Sequence, residues 1–124
     1  MAPQRITVSS GSPFEERVGY ARAVRVGPLV VVAGTTAPGD GIAEQAREAL
    51  RRIDIALVEA GAAMADVVRT RMFVTDISQW EELGAVHAEV FGDIRPVTSM
   101  VEVSALIAPD LLIEIEVDAY VVSD

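Results

Sequence analysis

The sequence predicts an α+β fold: one mixed sheet of about six strands with two helices on one face. Three observations carry that expectation. Several short stretches alternate apolar and polar residues with a period of two, and two longer segments repeat their apolar residues at helical spacing. Along the chain these segments fall in the order β-β-β-α-β-α-β-β.

A first short strand is expected at residues 5–8, followed by a loop at Ser9-Ser-Gly-Ser-Pro13, the one cluster of turn formers near the start. Residues 21–26 alternate in part, Gly27-Pro28 supplies a turn, and Leu29-Val-Val-Val-Ala33 is β-branched and apolar, which together read as a hairpin. Asp40 is placed to cap the first helix, whose apolar positions Ile42, Ala46, Ala49, Leu50, Ile53, Leu57 and Ala60 form one stripe before a terminating Gly61. Residues 67–75 read as a strand with Val68, Thr70, Met72 and Val74 on one face and Arg69, Arg71 and Phe73 on the other.

Ser78-Gln-Trp-Glu81 matches a capping box, opening a second helix with Trp80, Leu83, His87, Val90 and Phe91 inward and Gly92 at its end. Pro96 starts a strand, and the last strand follows the Ala108-Pro-Asp110 turn from Leu111 to about Val122, with Ile113, Ile115, Val117 and Ala119 inward. One sheet face is expected to gather Arg69, Arg71, Thr98, Met100, Glu102, Glu114, Glu116 and Asp118. Such a face is too charged for an internal core and too rich in large apolar residues for an ordinary wet surface. It is therefore expected to form a subunit interface with polar clefts at its margins.

Composition narrows the chemistry. The 124 residues fit a single domain spanning 1–124, with 51% hydrophobic residues and no cysteine. Thiolate nucleophiles, disulfides and Cys-ligated metals are thereby excluded, and a single histidine excludes most histidine-based metal sites and leaves no metal ligand set to build around it. Ten basic residues, all arginine, stand against nineteen acidic ones for a net charge of −9, which disfavours nucleic acid and favours a small-molecule partner. The longest uncharged run, residues 26–39, has fourteen residues, short of the roughly 18 needed to cross a bilayer. No secretory start is evident, so a cytoplasmic location is expected.

Six passages stand in order along the chain: Gly19-Tyr-Ala-Arg-Ala-Val24, Val30-Val-Val-Ala-Gly34, Gln45-Ala-Arg-Glu-Ala-Leu50, Asp66-Val-Val-Arg-Thr70 with Phe73-Val-Thr-Asp76, Pro96-Val-Thr-Ser-Met-Val-Glu-Val103 and Ile113-Glu-Ile-Glu116. Together they resemble the Rid family, the reactive intermediate deaminases also called the YjgF family. The resemblance implies a chorismate-mutase-like homotrimer, its sheets packed around a central barrel, with ligand clefts between subunits. It also implies cofactor-independent hydrolysis of enamines and imines to 2-keto acids and ammonia. In that scheme an arginine grips the substrate carboxylate, and a glutamate of the last strand handles water and protons.

Here the family arginine of a Pro-x-Arg-Ser pattern aligns with Thr98, which cannot make a bidentate charged pair. The frequent Ser-Gly of the cleft is Ala33-Gly34, and the frequent cysteine is Met100. Tyr20, Gly34 and Glu114 are retained. Glu114 is thus the candidate acid–base residue, with Tyr20, Ala33, Gly34, Arg71, Thr98 and Met100 as candidate ligand contacts. Arg71 has two readings, an ion pair with Glu114 or Glu116 across the sheet or a ligand contact replacing the missing arginine, and His87 reads as a packed histidine. Two functions follow as expectations: an imine or enamine hydrolase with altered substrate preference, or a metabolite-binding or interaction trimer that has lost the deaminase chemistry. Ribonuclease activity, ascribed to some members of the family, sits poorly with the negative charge.

Overall fold

The computed structural model describes residues 4–122. Its strands are β1 (Arg5–Val8), β2 (Ala23–Val26), β3 (Leu29–Thr35), β4 (Val67–Val74), β5 (Val97–Glu102) and β6 (Ile113–Tyr120), and its helices α1 (Pro13–Val18), α2 (Ile42–Glu59) and α3 (Trp80–Phe91). The sheet order is β1-β2-β3-β6-β4-β5. Every neighbouring pair is antiparallel except β4 and β5, which are parallel and joined through α3.

The helix α2 follows its sequence pattern. Ile42, Ala46, Ala49, Leu50, Ile53, Ala56 and Leu57 are buried against the sheet's inner face, which presents Val30, Val32, Met72, Val74, Ile113, Ile115 and Val117. Burying each larger aliphatic side chain contributes roughly 1.5–3 kcal/mol. Gly61, at φ 80°, takes the left-handed position after the helix, and Arg25 Nη1 donates to the carbonyls of Ala60 (2.8 Å) and Gly61 (3.1 Å). Asp40 does not cap the start. Gly41, at φ 94°, occupies that place, and Glu44 instead reaches back to accept from the Asp40 amide at 3.1 Å.

The structure corrects four further expectations. The segment after Ser9 holds a helix, α1, because Ser12 caps it, Pro13 fits its first turn and Gly19 ends it at φ 88°. The capping box at Ser78 does not form. Asp76 accepts from the Ser78 amide and caps a 3₁₀ turn at Ile77–Gln79, so α3 begins only at Trp80, whose side chain is exposed while Leu83, Val86 and Phe91 are buried. In β4 an irregular register between Val67 and Arg69 buries Val67 and leaves Val68 exposed.

The fourth correction bears on the site. The parallel register sets Thr98 beside Thr70, Met100 beside Met72 and Glu102 beside Val74, all on the helix-covered side. Val97, Ser99 and Val101 occupy the outer face with Arg69, Arg71 and Phe73. The edge strand β5 is only partly covered, so its inner side keeps polar residues, and Glu102 is used there to accept from the Ile77 amide at 3.1 Å. The outer face thus carries Arg69, Arg71, Glu114, Glu116 and Asp118 without Thr98, Met100 or Glu102. Among the described residues no helix is long and apolar enough to cross a membrane.

Candidate functional site

A cleft of about 800 Å³ opens between α1, the loop before it, α2 and the ends of β3 and β6. Its polar wall is built by Tyr20, Arg22, Gly34, Thr35 and Glu114, and its mouth by the exposed side chains of Phe14, Val18, Ile55 and Ile107. Gly34 lies in the stretch where the β3–β6 register shifts, between Val32 and Thr35. A side chain there would collide with Glu114 Oε2 and stand 2.8 Å from its Cδ. The glycine is therefore the space into which the Glu114 carboxyl fits.

Glu114 alternates with Ile113 and Ile115, both fully buried, and that anchoring fixes the half-buried carboxyl at the cleft. Burial, and secondarily the charge of Glu116, push its pKa above the ordinary value of 4.5, with Arg22 acting in the opposite sense. A carboxyl so placed can carry a proton at a pH where a surface glutamate does not.

Arg22 is the neighbour that sequence reasoning passed over. Its Nη1 donates to the Gly34 carbonyl at 3.1 Å and to Thr35 Oγ1 at 2.9 Å, and its Nη2 approaches the Tyr20 hydroxyl at 3.5 Å. Thr35 Oγ1 in turn donates to the Ala33 carbonyl at 2.8 Å. Behind the guanidinium lies Glu15, buried to 7% exposure, with Oε2 3.9 Å from Arg22 Nε. Burial alone would raise the Glu15 pKa, yet hydrogen bonds from Ser10 and Ser9, with the charge of Arg22, hold it below its ordinary value. The sequence signal for this pair was the Ser-Pro-x-Glu start of α1 and an arginine two residues beyond Tyr20.

The structure brings Tyr20, Gly34 and Glu114 together and sets the other candidates elsewhere. Arg71 Nη1 pairs with Glu116 (3.1 Å) and Asp118 (3.5 Å), not with Glu114, and lines a shallower hollow on the outer face with Tyr20 and Ala33. Thr98 Oγ1 lies 2.8 Å from Thr70 Oγ1 and 3.4 Å from His87 Nε2, while Met100 packs against the core. Neither Thr98 nor Met100 lines the cleft within its own chain. His87, its ring centroid 4.7 Å from that of Phe91 and tilted 38° to it, is a packed histidine. Among the described residues no three His, Asp or Glu side chains converge as a metal site would require.

A small α+β protein with helices on one sheet face and a carboxyl–guanidinium cleft at the strand ends is the class that fold and site define. The sequence matches the family described as Endoribonuclease L-PSP over residues 11–121, and the chain belongs to that family, also known as YjgF or Rid. A crystal structure of a member of the YjgF/YER057c/UK114 family from Mycobacterium tuberculosis is 73% identical and superposes with a TM-score of 0.94, covering 95% of this chain and 100% of that one. An uncharacterised protein of Streptomyces coelicolor is 39% identical over 120 residues, covering 91% of this chain and 90% of that protein. The 2-iminobutanoate/2-iminopropanoate deaminase of Salmonella typhimurium is 30% identical over 107 residues, covering 78% of this chain and 83% of the enzyme.

Proposed function

We propose that this protein is a cytoplasmic homotrimer that hydrolyses imines or enamines at clefts between subunits, without a cofactor, and that Glu114 is its acid–base residue. The observation that carries the reading is the Glu114 carboxyl itself, half-buried against Gly34, raised in pKa and set beside Arg22 and Tyr20. The deaminase name of the Salmonella relative supports the reaction class.

The chemistry follows from that carboxyl. Protonated Glu114 donates to the enamine carbon or to the imine nitrogen, which makes the imine carbon electrophilic. The resulting carboxylate then accepts a proton from the water that adds to that carbon. Return of the proton to nitrogen allows the C–N bond to break; as it breaks, the hydroxyl proton of the adduct passes to the Glu114 carboxylate, releasing ammonia and the carbonyl product and restoring the protonated Glu114. In the trimer the neighbouring subunit's edge strand would complete each cleft with Thr98 and Met100. A threonine at that place offers no bidentate charged grip, so substrate preference differs from that of relatives with arginine there.

One observation favours a second reading, a metabolite-binding trimer without turnover: Thr98 is turned into a hydroxyl network with Thr70 rather than left free for a ligand. A coupled assay separates the two. An upstream enzyme generates 2-aminoacrylate and imines of larger side chain, and ammonia release is followed with wild type, Glu114→Gln and Thr98→Arg. Turnover by wild type that falls at least about a hundredfold in Glu114→Gln, with fold and assembly intact, supports the hydrolase. Absence of wild-type turnover, with activity appearing in Thr98→Arg, supports the binding protein.

A further inference from the structure

We infer that Arg22, braced by Glu15, is the anion anchor of the cleft and that the ligand it holds is a monocarboxylate. The inference rests on the small-molecule reading of the cleft, and names the group that this chain supplies where Thr98 cannot.

Two guanidinium groups line the cleft, and only one is positioned to serve. Arg52 is spent at the surface, donating to Glu48 Oε2 at 3.1 Å and to the Thr36 carbonyl at 3.2 Å. Arg22 is 13% exposed and fixed at one end, because both Nη1 bonds go to Gly34 and Thr35 on the same stretch of β3 that makes room for Glu114. Its position is thereby coupled to that of the acid–base carboxyl.

The opposite end remains available. Glu15 would consume the guanidinium if its oxygens were free, but they are occupied. Ser9 Oγ donates to Oε1 at 2.9 Å, the Ser10 amide reaches both oxygens, and Ser10 Oγ donates to Oε2. The 3.9 Å gap to Arg22 Nε exceeds hydrogen-bond range, so Glu15 braces the guanidinium electrostatically and takes none of its protons. Among the described residues the Nη2 group has only the long hydrogen-bond contact to the Tyr20 hydroxyl. A carboxylate at the cleft surface can accept from Nη2 and from that hydroxyl together, and charge-assisted bonds of this kind are the strong ones.

Charge selects the ligand's valence. The groups around Glu114 are Arg22 from the residue just before β2, Glu116 from its own strand, and Arg52 and Glu59 from α2, with Glu15 behind Arg22. One arginine partly offset by Glu15, and facing Glu114, suits a monoanion and disfavours a dianion such as a phosphate ester. Protonation of Glu114 removes the nearest repulsion to that monoanion.

Titration with 2-oxobutanoate and with its neutral amide, 2-oxobutanamide, followed by ligand-observed NMR, tests the inference on wild type, Arg22→Gln, Arg22→Lys and Glu114→Gln. The expected result is that wild type binds the acid in preference to the amide. Both Arg22 variants then lose at least about tenfold in affinity for the acid with little change for the amide, and Glu114→Gln binds the acid at least as tightly as wild type. Should Arg22→Gln fail to fold, because it releases Gly34 and Thr35, Arg22→Lys decides alone. Equal affinity for the acid in wild type and a folded Arg22 variant overturns the inference, as does a wild type that binds acid and amide alike or binds neither. Imine turnover is scored separately. Arg22-dependent binding without turnover leaves the anchor standing and removes the hydrolase, whereas turnover with a KM unmoved by Arg22→Lys removes the anchor and leaves the hydrolase.

Discussion

His87 and Glu114 are two half-buried titratable side chains that should pull stability in opposite directions with pH. Burial lowers the His87 pKa from 6.5, while Thr70 Oγ1 contacts its Nε2 at 2.9 Å. The native state therefore binds fewer protons at this residue than the unfolded chain. Its contribution is complete above about pH 6.5 and is lost as pH falls through the lowered native value. Urea midpoints measured from pH 8 to 5 should fall with acidity in wild type and fall less in His87→Gln. Glu114 has the reverse sign. Its native pKa is raised above 4.5, so its contribution is present below 4.5 and is lost as pH rises through the native value. Glu114→Gln should accordingly be more stable than wild type at pH 7.5 and lose that advantage at pH 4. Gly34→Ala tests the same carboxyl from the other side. The atoms its methyl would meet belong to the far end of the Glu114 side chain, which can turn aside without moving backbone, so the fold should hold to within about 1 kcal/mol. The displaced carboxyl should titrate closer to an ordinary glutamate in a 13C-NMR titration.

Elements differ in how openly the sequence declares them. Strong periodicity with a terminal glycine made α2 readable, and alternation of Ile113, Ile115, Val117 and Ala119 against acidic residues made β6 readable. The six-residue α1 is too short to show a period, and only its Ser12-Pro13 start and Gly19 stop mark it. The faces of β5 were misread because alternation alone cannot say which side of an edge strand is covered. That assignment came only with the parallel register to β4. Of the site, Tyr20, Gly34 and Glu114 were legible through resemblance, whereas Arg22 was not, since its place two residues beyond Tyr20 does not by itself say which of ten arginines will be drawn to a β-strand irregularity. Gln45 shows the same limit at the junction of elements. Buried in α2, its Nε2 donates to the carbonyls of Gly39 (3.1 Å) and Asp110 (2.9 Å), and its Oε1 accepts from the Leu112 amide at 2.8 Å, fastening the approach to β6. Replacing Gln45 with Leu should cost about 1–3 kcal/mol in denaturant unfolding, and should loosen the β5–β6 loop in hydrogen exchange ahead of global opening.

At the scale of the molecule, the outer sheet face leaves Val31, Val97 and Val101 exposed around the Arg71–Glu116–Asp118 cluster. Light scattering should give three times the 13.2 kDa chain mass if this face packs in the proposed trimer. Val101→Glu, placed on that face, should then shift the population toward monomer, and inter-subunit clefts require turnover to fall with it. The strand order has a further consequence, for synthesis. β6 is the last of the described strands in chain order, yet it lies between β3 and β4 and is the one described strand that pairs with both the β1-β2-β3 and β4-β5 halves. A nascent chain growing at about 5–20 residues per second carries β3 with one edge unpaired for on the order of ten seconds before β6 arrives. That edge, rich in valine, invites association with other chains. Soluble yield should therefore depend on translation rate and chaperone supply more steeply than the stability of the finished fold would indicate.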